Sequence, residues 1–228
     1  MPTLRYFGHA ACEITHGGHT VLIDPFITGN DLAPVQADDL AADFILVTHG
    51  HGDHLGDAIP IAKRTGATIV APFELAHYCA KHGAEVHPMH IGGAHEFPFG
   101  RVKLTQALHG SAVTDGEVIY TGNPCGFVVT MGGKALYHAG DTGLFGDMAL
   151  IGRLDALAVA LLPIGDNFTM GAADAVEAAK LLRPAIVVPM HYDTFPVIQA
   201  DVAAFRARVE AETSATCRIL KPGETLDC

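Results

Sequence analysis

The sequence predicts an α/β fold of four layers, in which two mixed β-sheets pack face to face between outer helices. Short β-rich segments open the chain, and each half then has the order strand, helix, strand. The apolar strings FILV and ALAVALL do not alternate with polar residues, so we expect these strands to be covered on both faces. A chain of 228 residues can bury about three quarters of its surface in one core, which predicts a single domain.

The elements of the first half follow one another closely. The segments LRYFG, ACEIT and TVLIDPF are separated by turns that contain glycine, which predicts a meander of strands. A buried strand of parallel type is expected at Phe44–Thr48, followed by a helix at about Leu55–Arg64. A short strand, ATIVA, and a second helix at about Phe73–Lys81, stopping near Gly83, complete this half.

The second half repeats this order. The string FILVTHGHGD after Asp43 corresponds to ALAVALLPIGD after Asp155, and ATIVAP corresponds to AIVVP. A duplication with halves at about 1–115 and 116–228 is one explanation, and chance similarity between short apolar strings is the other.

Composition and charge exclude several classes of protein. The formal net charge is -11, and the 14 Lys and Arg residues never form a run, so nucleic acid is not an expected partner. No apolar run approaches the ~20 residues that cross a bilayer, and no leader pattern opens the chain, so we expect a cytoplasmic protein without a membrane partner. The five cysteines lack CxxC spacing and indicate reduced thiols. We expect a small-molecule substrate, and the sequence leaves a homo-oligomer open.

The densest chemical signal is the string HGHGDH, which directly follows the predicted strand FILVT. Its four side chains with metal-binding chemistry are His49, His51, Asp53 and His54. The alternative is a histidine-rich surface loop, but packing provides no reason for such a polar turn after a buried strand. One loop cannot easily surround two ions, so further ligands are expected where other strand-like runs end. The candidates are His109, Asp141 and His191.

The pattern HxHxDH, followed in order by His, Asp and His, resembles the metallo-β-lactamase superfamily over essentially the whole chain. More closely, the strings THGHGDHLGD, YHAGDTGLFGDM, LLPIGDNFTMG and PMHYDTFP resemble a bacterial family of metal-dependent hydrolases. The substrates of that family are mostly unassigned, and it is related to the ascorbate-phosphate lactonase group. The resemblance implies the metallo-β-lactamase fold, an αββα sandwich.

The resemblance also implies a ligand set for two divalent ions. One ion would be held by His49, His51 and His109, a second by Asp53, His54 and His191, and Asp141 would bridge them. Antibiotic-degrading lactamases have a cysteine ligand where this chain has Asp141, so antibiotic hydrolysis is not expected. Zinc is our first choice of metal, but imidazole and carboxylate ligands also suit manganese, nickel or iron.

Two cations about 3.5 to 4 Å apart would lower the pKa of a shared water, so that hydroxide becomes available near neutral pH. The predicted catalytic residues are Asp53 and the bridging Asp141. Asp53 can bind an ion with one carboxylate oxygen and orient the attacking hydroxide, or move its proton, with the other.

Two further aspartates are expected to support the ligands. Asp24 ends the strand VLI and Asp57 follows the ligand loop, so each could accept the free N–H of a ligand histidine. A turn is the alternative role for Asp24, and a helix cap is the alternative for Asp57.

The loop after ALAVALLP stands where the ligand loop stands in the first half, so it is expected to line the substrate pocket. Its residues for this role are Asn167, Phe168 and Thr169. For Thr169, capping of the helix ADAVEAAKLL is the alternative. Aromatic walls are expected from Phe26, Phe145 and Phe195, for which ordinary loop packing is the alternative.

The remaining histidines are not expected to bind metal. His138 lies inside a strand, where a hydrogen-bonded structural role is predicted. Surface or turn positions are predicted for His9, His16, His19, His77, His82, His87, His90 and His95.

Three functions are consistent with these residues. The leading one is hydrolysis of a small ester or lactone. The second is a phosphodiesterase or RNA-processing nuclease, which would need a basic surface that this chain lacks. The third is a non-catalytic, metal-stabilised binding protein, although closed structural ions favour four tight Cys or His ligands rather than carboxylates.

Overall fold

The computed structural model describes all residues from 1 to 228 and contains sixteen strands and six helices. The strands are β1 (Thr3–Gly8), β2 (Ala11–His16), β3 (His19–Ile23), β4 (Phe44–Leu46), β5 (Thr68–Pro72), β6 (Val86–Met89), β7 (Ala94–Phe97), β8 (Gly100–Gln106), β9 (Ala112–Asp115), β10 (Glu117–Tyr120), β11 (Cys125–Met131), β12 (Lys134–His138), β13 (Leu157–Pro163), β14 (Ile186–Met190), β15 (Thr216–Cys217) and β16 (Thr225–Asp227). The helices are α1 (Gly52–Leu55), α2 (Ala58–Thr65), α3 (Phe73–Lys81), α4 (Met148–Leu154), α5 (Ala172–Leu182) and α6 (Val202–Glu212).

Two mixed sheets of seven strands each form the centre of the molecule. The first has the order β16-β1-β2-β3-β4-β5-β6, and the second has the order β15-β14-β13-β12-β11-β8-β7. Strands β1 to β3 form the predicted antiparallel meander, and β3 to β6 are parallel. Helices α2 and α3 pack on the first sheet, while α5 and α6 pack on the second. The predicted layered α/β architecture is therefore confirmed.

The alternation of side chains along the strands explains why the predicted strings are apolar throughout. Along β3, Val21 and Ile23 belong to a core cluster of 45 buried residues that draws on both sheets. Leu22, between them, belongs to a cluster of 19 that includes residues of α2 and α3. Successive residues of β4 divide in the same way, with Leu46 in the larger cluster and Ile45 in the smaller. Both faces of the strand are buried, so neither position can be polar.

The first predicted helix is wrong in its extent. The chain forms a single turn, α1, and then a separate helix, α2, with Gly56 between them. Gly56 has a φ of +40°, and a Cβ there would lie 2.6 Å from the carbonyl oxygen of Pro25. A side chain does not fit this close approach, so a continuous helix from Leu55 is excluded. The short first turn directs the side chain of His54 into the interior, where it is fully buried.

The chain passes from the first sheet to the second after β6, and β16 returns to the first sheet. Strands β7 and β8 therefore precede the predicted boundary near residue 115 although they belong to the second sheet. The duplication stays a prediction. All five cysteines are free, as predicted. No helix in the structure combines the length and the apolar character that crossing a bilayer requires.

Candidate metal centre

The loops that follow β4, β8, β12 and β14 bring the seven predicted ligand side chains into one cluster. Strands β8 and β12 are both antiparallel to β11, and β12, β13 and β14 are parallel to one another. These strands of the second sheet therefore run in the same direction and end at the same edge. The ligand loop after β4 reaches that edge from the first sheet.

Three histidines form the first group of the cluster. The Nε2 atom of His49 lies 3.0 Å from Nδ1 of His51, and Nε2 of His109 lies 3.2 Å from the same atom. A neutral imidazole carries a hydrogen on only one of its two nitrogens. Three ring nitrogens that face one another at this distance form a donor set suited to a cation between them.

The second group contains both carboxylates. The Oδ2 atom of Asp141 lies 3.1 Å from Nε2 of His191 and 3.3 Å from Nε2 of His54. The Oδ2 atom of Asp53 lies 3.9 Å from Nε2 of His191. The same Oδ2 atom of Asp141 also lies 3.7 Å from Nε2 of His109, which belongs to the first group. Asp141 therefore faces both groups, which its predicted bridging role requires.

Several buried atoms of the cluster lack partners within the protein. Neither Nε2 of His54, nor Oδ1 of Asp141, nor either ring nitrogen of His191 has a hydrogen-bond partner. Buried polar atoms without partners are rare because each loses its hydration without compensation. Nitrogen and carboxylate oxygen donors without thiolate suit zinc, manganese, nickel and iron. The residues present therefore fit divalent metal ions.

Asp24 determines which nitrogen two of the predicted ligand histidines present to the cluster. Its Oδ2 lies 2.8 Å from Nδ1 of His54, and the hydroxyl of Thr48 donates to the same oxygen at 2.6 Å. The carboxylate only accepts, so Nδ1 of His54 must carry the hydrogen and Nε2 keeps its lone pair. Because the Thr48 hydroxyl already donates to Asp24, it accepts the Nδ1–H of His49 at 2.9 Å. His49 therefore also presents an unprotonated Nε2.

Without a bound cation, the positive charge of His54 and the negative charges of the neighbouring carboxylates stabilise one another. Burial opposes a charge on His54, but the carboxylates of Asp141 and Asp24 outweigh it and raise the pKa of His54 well above its usual value. Burial likewise opposes the charge on Asp141, but His54 and His191 hold the pKa of Asp141 well below its usual value. Burial lowers the pKa of His49, so this predicted ligand is neutral, as metal binding requires.

His9 lies in a turn, which was one of the two predicted positions, but the surface alternative is wrong and its place beside the cluster was not predicted. His9 follows β1 in a turn, but its side chain is fully buried. Its Nε2 lies 3.1 Å from Oδ2 of Asp53, and its ring centroid lies 4.0 Å from that of His191. Burial lowers the pKa of His9 to about 4, so it is neutral. The one signal in the sequence was its position directly after a strand, which it shares with the other cluster residues.

Asp57 does not have the predicted role. Its carboxylate accepts the backbone N–H groups of Ile27 and Thr28, at 3.0 and 2.7 Å, and contacts no ligand histidine. It does not cap α2 with its side chain either. Asp57 instead fixes the loop after β3, which begins at Asp24. By contrast, His138 has the predicted structural role, since its buried Nε2 bonds to the carbonyl oxygen of Ala10 at 2.9 Å.

The loop after β13 lies beside the cluster, but two of its three predicted pocket residues are exposed to solvent and the third bonds to its own loop. Phe168 is 54% exposed, and Asn167 is exposed as well. The Thr169 hydroxyl donates to the carbonyl oxygen of Met170 and does not cap α5, whose N-cap is Gly171. The loop is tied to the centre by the Met170 N–H, which donates to the Thr142 carbonyl at 2.8 Å. Contact of the three residues with substrate stays a prediction.

The predicted aromatic residues divide between the site and the core. The rings of Phe26 and Phe195 lie 5.6 and 5.5 Å from the ring of His9. Phe145 instead belongs to the larger hydrophobic core. Phe26 and Phe195 therefore exclude water from the side of the centre that contains His9.

A cavity that sequence reasoning missed adjoins His109. It has a volume of about 560 Å³, and its lining contains no Lys, Arg, Asp or Glu. The lining residues are Ile91, Gln106, Ala107, Leu108, His109, Asn123 and Pro124. They come from three separate parts of the chain, namely the end of β8 with the loop after it, the loop after β6 and the loop after β10, so no local motif marks them. A second cavity of about 300 Å³ shares Ile91 and Asn123 and includes the carboxylate of Glu74.

Comparison with known proteins places the chain in a family. Residues 19–192 match the model of the β-lactamase superfamily domain. A UPF0173 metal-dependent hydrolase from Heliobacterium modesticaldum is 58% identical, covering 99% of this chain and 97% of the relative. Another from Pelotomaculum thermopropionicum is 55% identical, covering 98% and 99%.

Among solved structures, Igni18, a metallo hydrolase from the archaeon Ignicoccus hospitalis, superposes with a TM-score of 0.91. It is 42% identical, and the match covers 99% of this chain and 97% of Igni18. The chain therefore belongs to the β-lactamase superfamily, in the family of metal-dependent hydrolases that contains these relatives.

Proposed function

We propose that this protein is a metal-dependent hydrolase that holds two divalent ions and cleaves small esters or lactones. The observation that carries the proposal is the cavity next to His109, whose lining contains no Lys, Arg, Asp or Glu. The two groups of ligands support the number of ions, and the polarity of the cavity supports the class of substrate.

Two ions are proposed because the ligand atoms divide into two sets. His49, His51 and His109 face one another, while His54 and His191 face the carboxylates. Seven side chains exceed what one tetrahedral ion uses. Zinc is the first choice, and manganese, nickel or iron suits the same donors. Bound divalent ions would supply Lewis acidity, which lowers the pKa of water and stabilises an oxyanion.

The exposure of the predicted ligands supports a substrate approach from the side of Asp53 and His109. The side chains of His54 and His191 are 0% and 1% exposed, so they close the inner side of the centre. The side chain of Asp53 is 30% exposed and that of His109 is 14% exposed. Of the two cluster carboxylates, Asp53 is the more accessible, and we propose that it orients the attacking water and accepts its proton.

The cavity beside His109 favours a carbonyl compound over a phosphodiester. Leu108 and Ile91 provide apolar contacts there, and the amides of Gln106 and Asn123 offer hydrogen bonds. No cationic side chain is present to bind a phosphate, and the net charge of -11 opposes a polyanion. A small neutral ester or lactone is therefore the proposed substrate, and nucleic acid is not a proposed partner.

The test is a screen of the metal-reconstituted protein against lactones, aryl esters, bis-aryl phosphodiesters and RNA. Elemental analysis on the same samples measures the stoichiometry, for which two ions per chain are expected. A stoichiometry of one with saturating zinc, manganese and iron would contradict the two-ion proposal. A kcat/KM for matched phosphodiesters more than about tenfold above that for esters, or ~1.4 kcal/mol of transition-state binding, would favour a phosphodiesterase instead.

A further inference from the structure

His9 is held in an uncommon conformation beside the metal centre. Its φ is +57°, in the left-handed region that few residues other than glycine adopt. Two hydrogen bonds to its carbonyl oxygen maintain it: the Tyr6 hydroxyl donates at 2.9 Å and the His191 N–H donates at 2.7 Å. A strained backbone persists only where its surroundings hold it in place. The position of His9 is therefore coupled to that of His191, a predicted ligand.

Both nitrogens of the His9 ring have a partner. Nε2 lies 3.1 Å from Oδ2 of Asp53, and Nδ1 lies 2.9 Å from the hydroxyl oxygen of Thr194. The ring is fully buried and packs against His191, with Phe26 and Phe195 at its edges. Water therefore cannot replace either partner, and the two hydrogen bonds determine the orientation of the ring.

The partners also determine the tautomer. An ionised carboxylate only accepts, so Nε2 of His9 must donate its hydrogen to Asp53. Nδ1 then has no hydrogen and accepts the hydroxyl hydrogen of Thr194 at 2.9 Å, because the other acceptor within reach of that hydroxyl, the carbonyl oxygen of Tyr192, lies farther away at 3.4 Å. The hydrogen bonds therefore form a chain in which Thr194 donates to His9 and His9 donates to Asp53. Asp53 has no other side-chain or backbone hydrogen-bond donor.

We propose that His9 is a positioning residue that orients the Asp53 carboxylate toward the second ion, with Thr194 selecting the tautomer that can donate. The inference rests on the proposed assignment of Asp53 to that ion. His9 acts through Asp53 and does not bind metal itself, because an Nε2 that binds metal has no hydrogen to donate. Histidines that bind metals commonly depend on such outer partners, and here the same relation applies to a carboxylate ligand.

Three variants test the inference. His9→Phe keeps an aromatic ring but removes both hydrogen bonds, whereas His9→Gln keeps an amide N–H that can reach Asp53. Thr194→Val removes the hydroxyl at nearly constant size and leaves His9 in place. His138→Gln is the matched control, because His138 is a buried, hydrogen-bonded histidine outside the ligand set.

The main readout is the affinity for zinc alone, measured by competition with a chromophoric chelator. We expect His9→Phe to weaken one of two zinc ions by about 10 to 100-fold, with the other unchanged. His9→Gln should recover most of this loss, Thr194→Val should show a smaller loss, and His138→Gln should bind two ions normally. If His9→Phe does not fold, Thr194→Val and the wild type still decide the question.

The second readout is the tautomer of His9 in the zinc-loaded wild type, measured by ¹⁵N NMR of labelled histidine. A protonated Nε2 is expected. An unprotonated Nε2 would leave that atom free to bind metal and would overturn the inference. Equally reduced zinc affinities in His9→Gln and His9→Phe would also overturn it, because the amide N–H of glutamine would then fail to replace the hydrogen bond to Asp53. Wild-type zinc affinity in His9→Phe would overturn it as well. A wild type that binds only one zinc would instead contradict the two-ion proposal, and the tautomer would then decide the role of His9 by itself.

Discussion

Asp24→Asn is the substitution for which the structure makes the most detailed prediction. The backbone tolerates it, because Asp24 has a φ of +45° and asparagine adopts this region as readily as aspartate. The carboxylate accepts three buried hydrogen bonds: from the Thr48 N–H at 2.8 Å, the Thr48 hydroxyl at 2.6 Å and His54 Nδ1 at 2.8 Å. An amide has one oxygen, so at least one of these donors must face an NH₂ group.

The magnitude follows from which bonds are lost. If the amide oxygen keeps the Thr48 N–H, the NH₂ group faces both the Thr48 hydroxyl and His54. Each hydrogen bond to a charged group contributes about 1.5 to 3 kcal/mol, so losing two lowers the free energy of unfolding by about 3 to 6 kcal/mol. His54 can avoid half of this loss by accepting at Nδ1. Its Nε2 then carries the hydrogen and can no longer bind metal.

The assay is zinc binding by chelator competition, together with thermal unfolding in the presence and absence of EDTA. We expect both ions to bind more weakly by about 10 to 100-fold, because Asp24 orients His54 directly and His49 through Thr48. Asp57→Asn is the matched control, since Asp57 accepts two backbone N–H groups but touches no ligand. It should lose stability yet bind zinc normally.

Wild-type zinc affinity in Asp24→Asn would refute the role of Asp24. Weakening at only one ion would refute the path through Thr48 to His49. Equal weakening in Asp24→Asn and Asp57→Asn would show that general destabilisation of the loop, and not the orientation of histidines, controls metal binding.

Three further predictions concern the ligands, the cavity and pH. Asp141→Ala should lose both ions and activity whereas His138→Ala keeps its metal, and equal loss by elemental analysis would show that the bridging ligand is misplaced. Leu108→Lys should lower kcat/KM for a neutral ester by about tenfold with zinc content unchanged. The control Leu150→Lys, at an exposed position outside the cavity, should have no effect on kcat/KM. Equal kcat/KM in both variants would exclude the cavity as the substrate site. In the metal-free protein, nearby carboxylates raise the pKa of His54 against the effect of burial. The protonated His54 therefore stabilises the folded state fully below the usual pKa of 6.5, and this contribution is lost as pH rises through the raised pKa. Calorimetry should therefore show that zinc adds more to the Tm at pH 8 than at pH 6, and the reverse order would contradict this electrostatic account.

Local sequence patterns predicted the fold, and they marked the seven predicted ligands that the structure brings into one cluster, because burial and strand ends can be read from neighbouring residues along the chain. The string FILV must be covered on both faces, and its burial positions the loop that carries His49 to His54. Strand ends mark His109, Asp141 and His191 for the same reason. The predicted extent of the first helix was wrong because Gly56 lies against the backbone of Pro25. Hydrophobic periodicity gives no information about that contact.

By itself, then, the sequence determined the layered α/β architecture, the absence of cationic runs and the residues with metal-binding chemistry. Only the tertiary structure decided that His9 lies against Asp53, 44 positions away in the chain, and that Asp57 holds a neighbouring loop instead of a histidine. It also decided the cavity beside His109, whose lining comes from three separate parts of the chain. These features depend on which loops meet at the edge of the two sheets and on which groups lose contact with water there. Such contacts join distant parts of the chain, and hydrophobic periodicity carries information only about near ones.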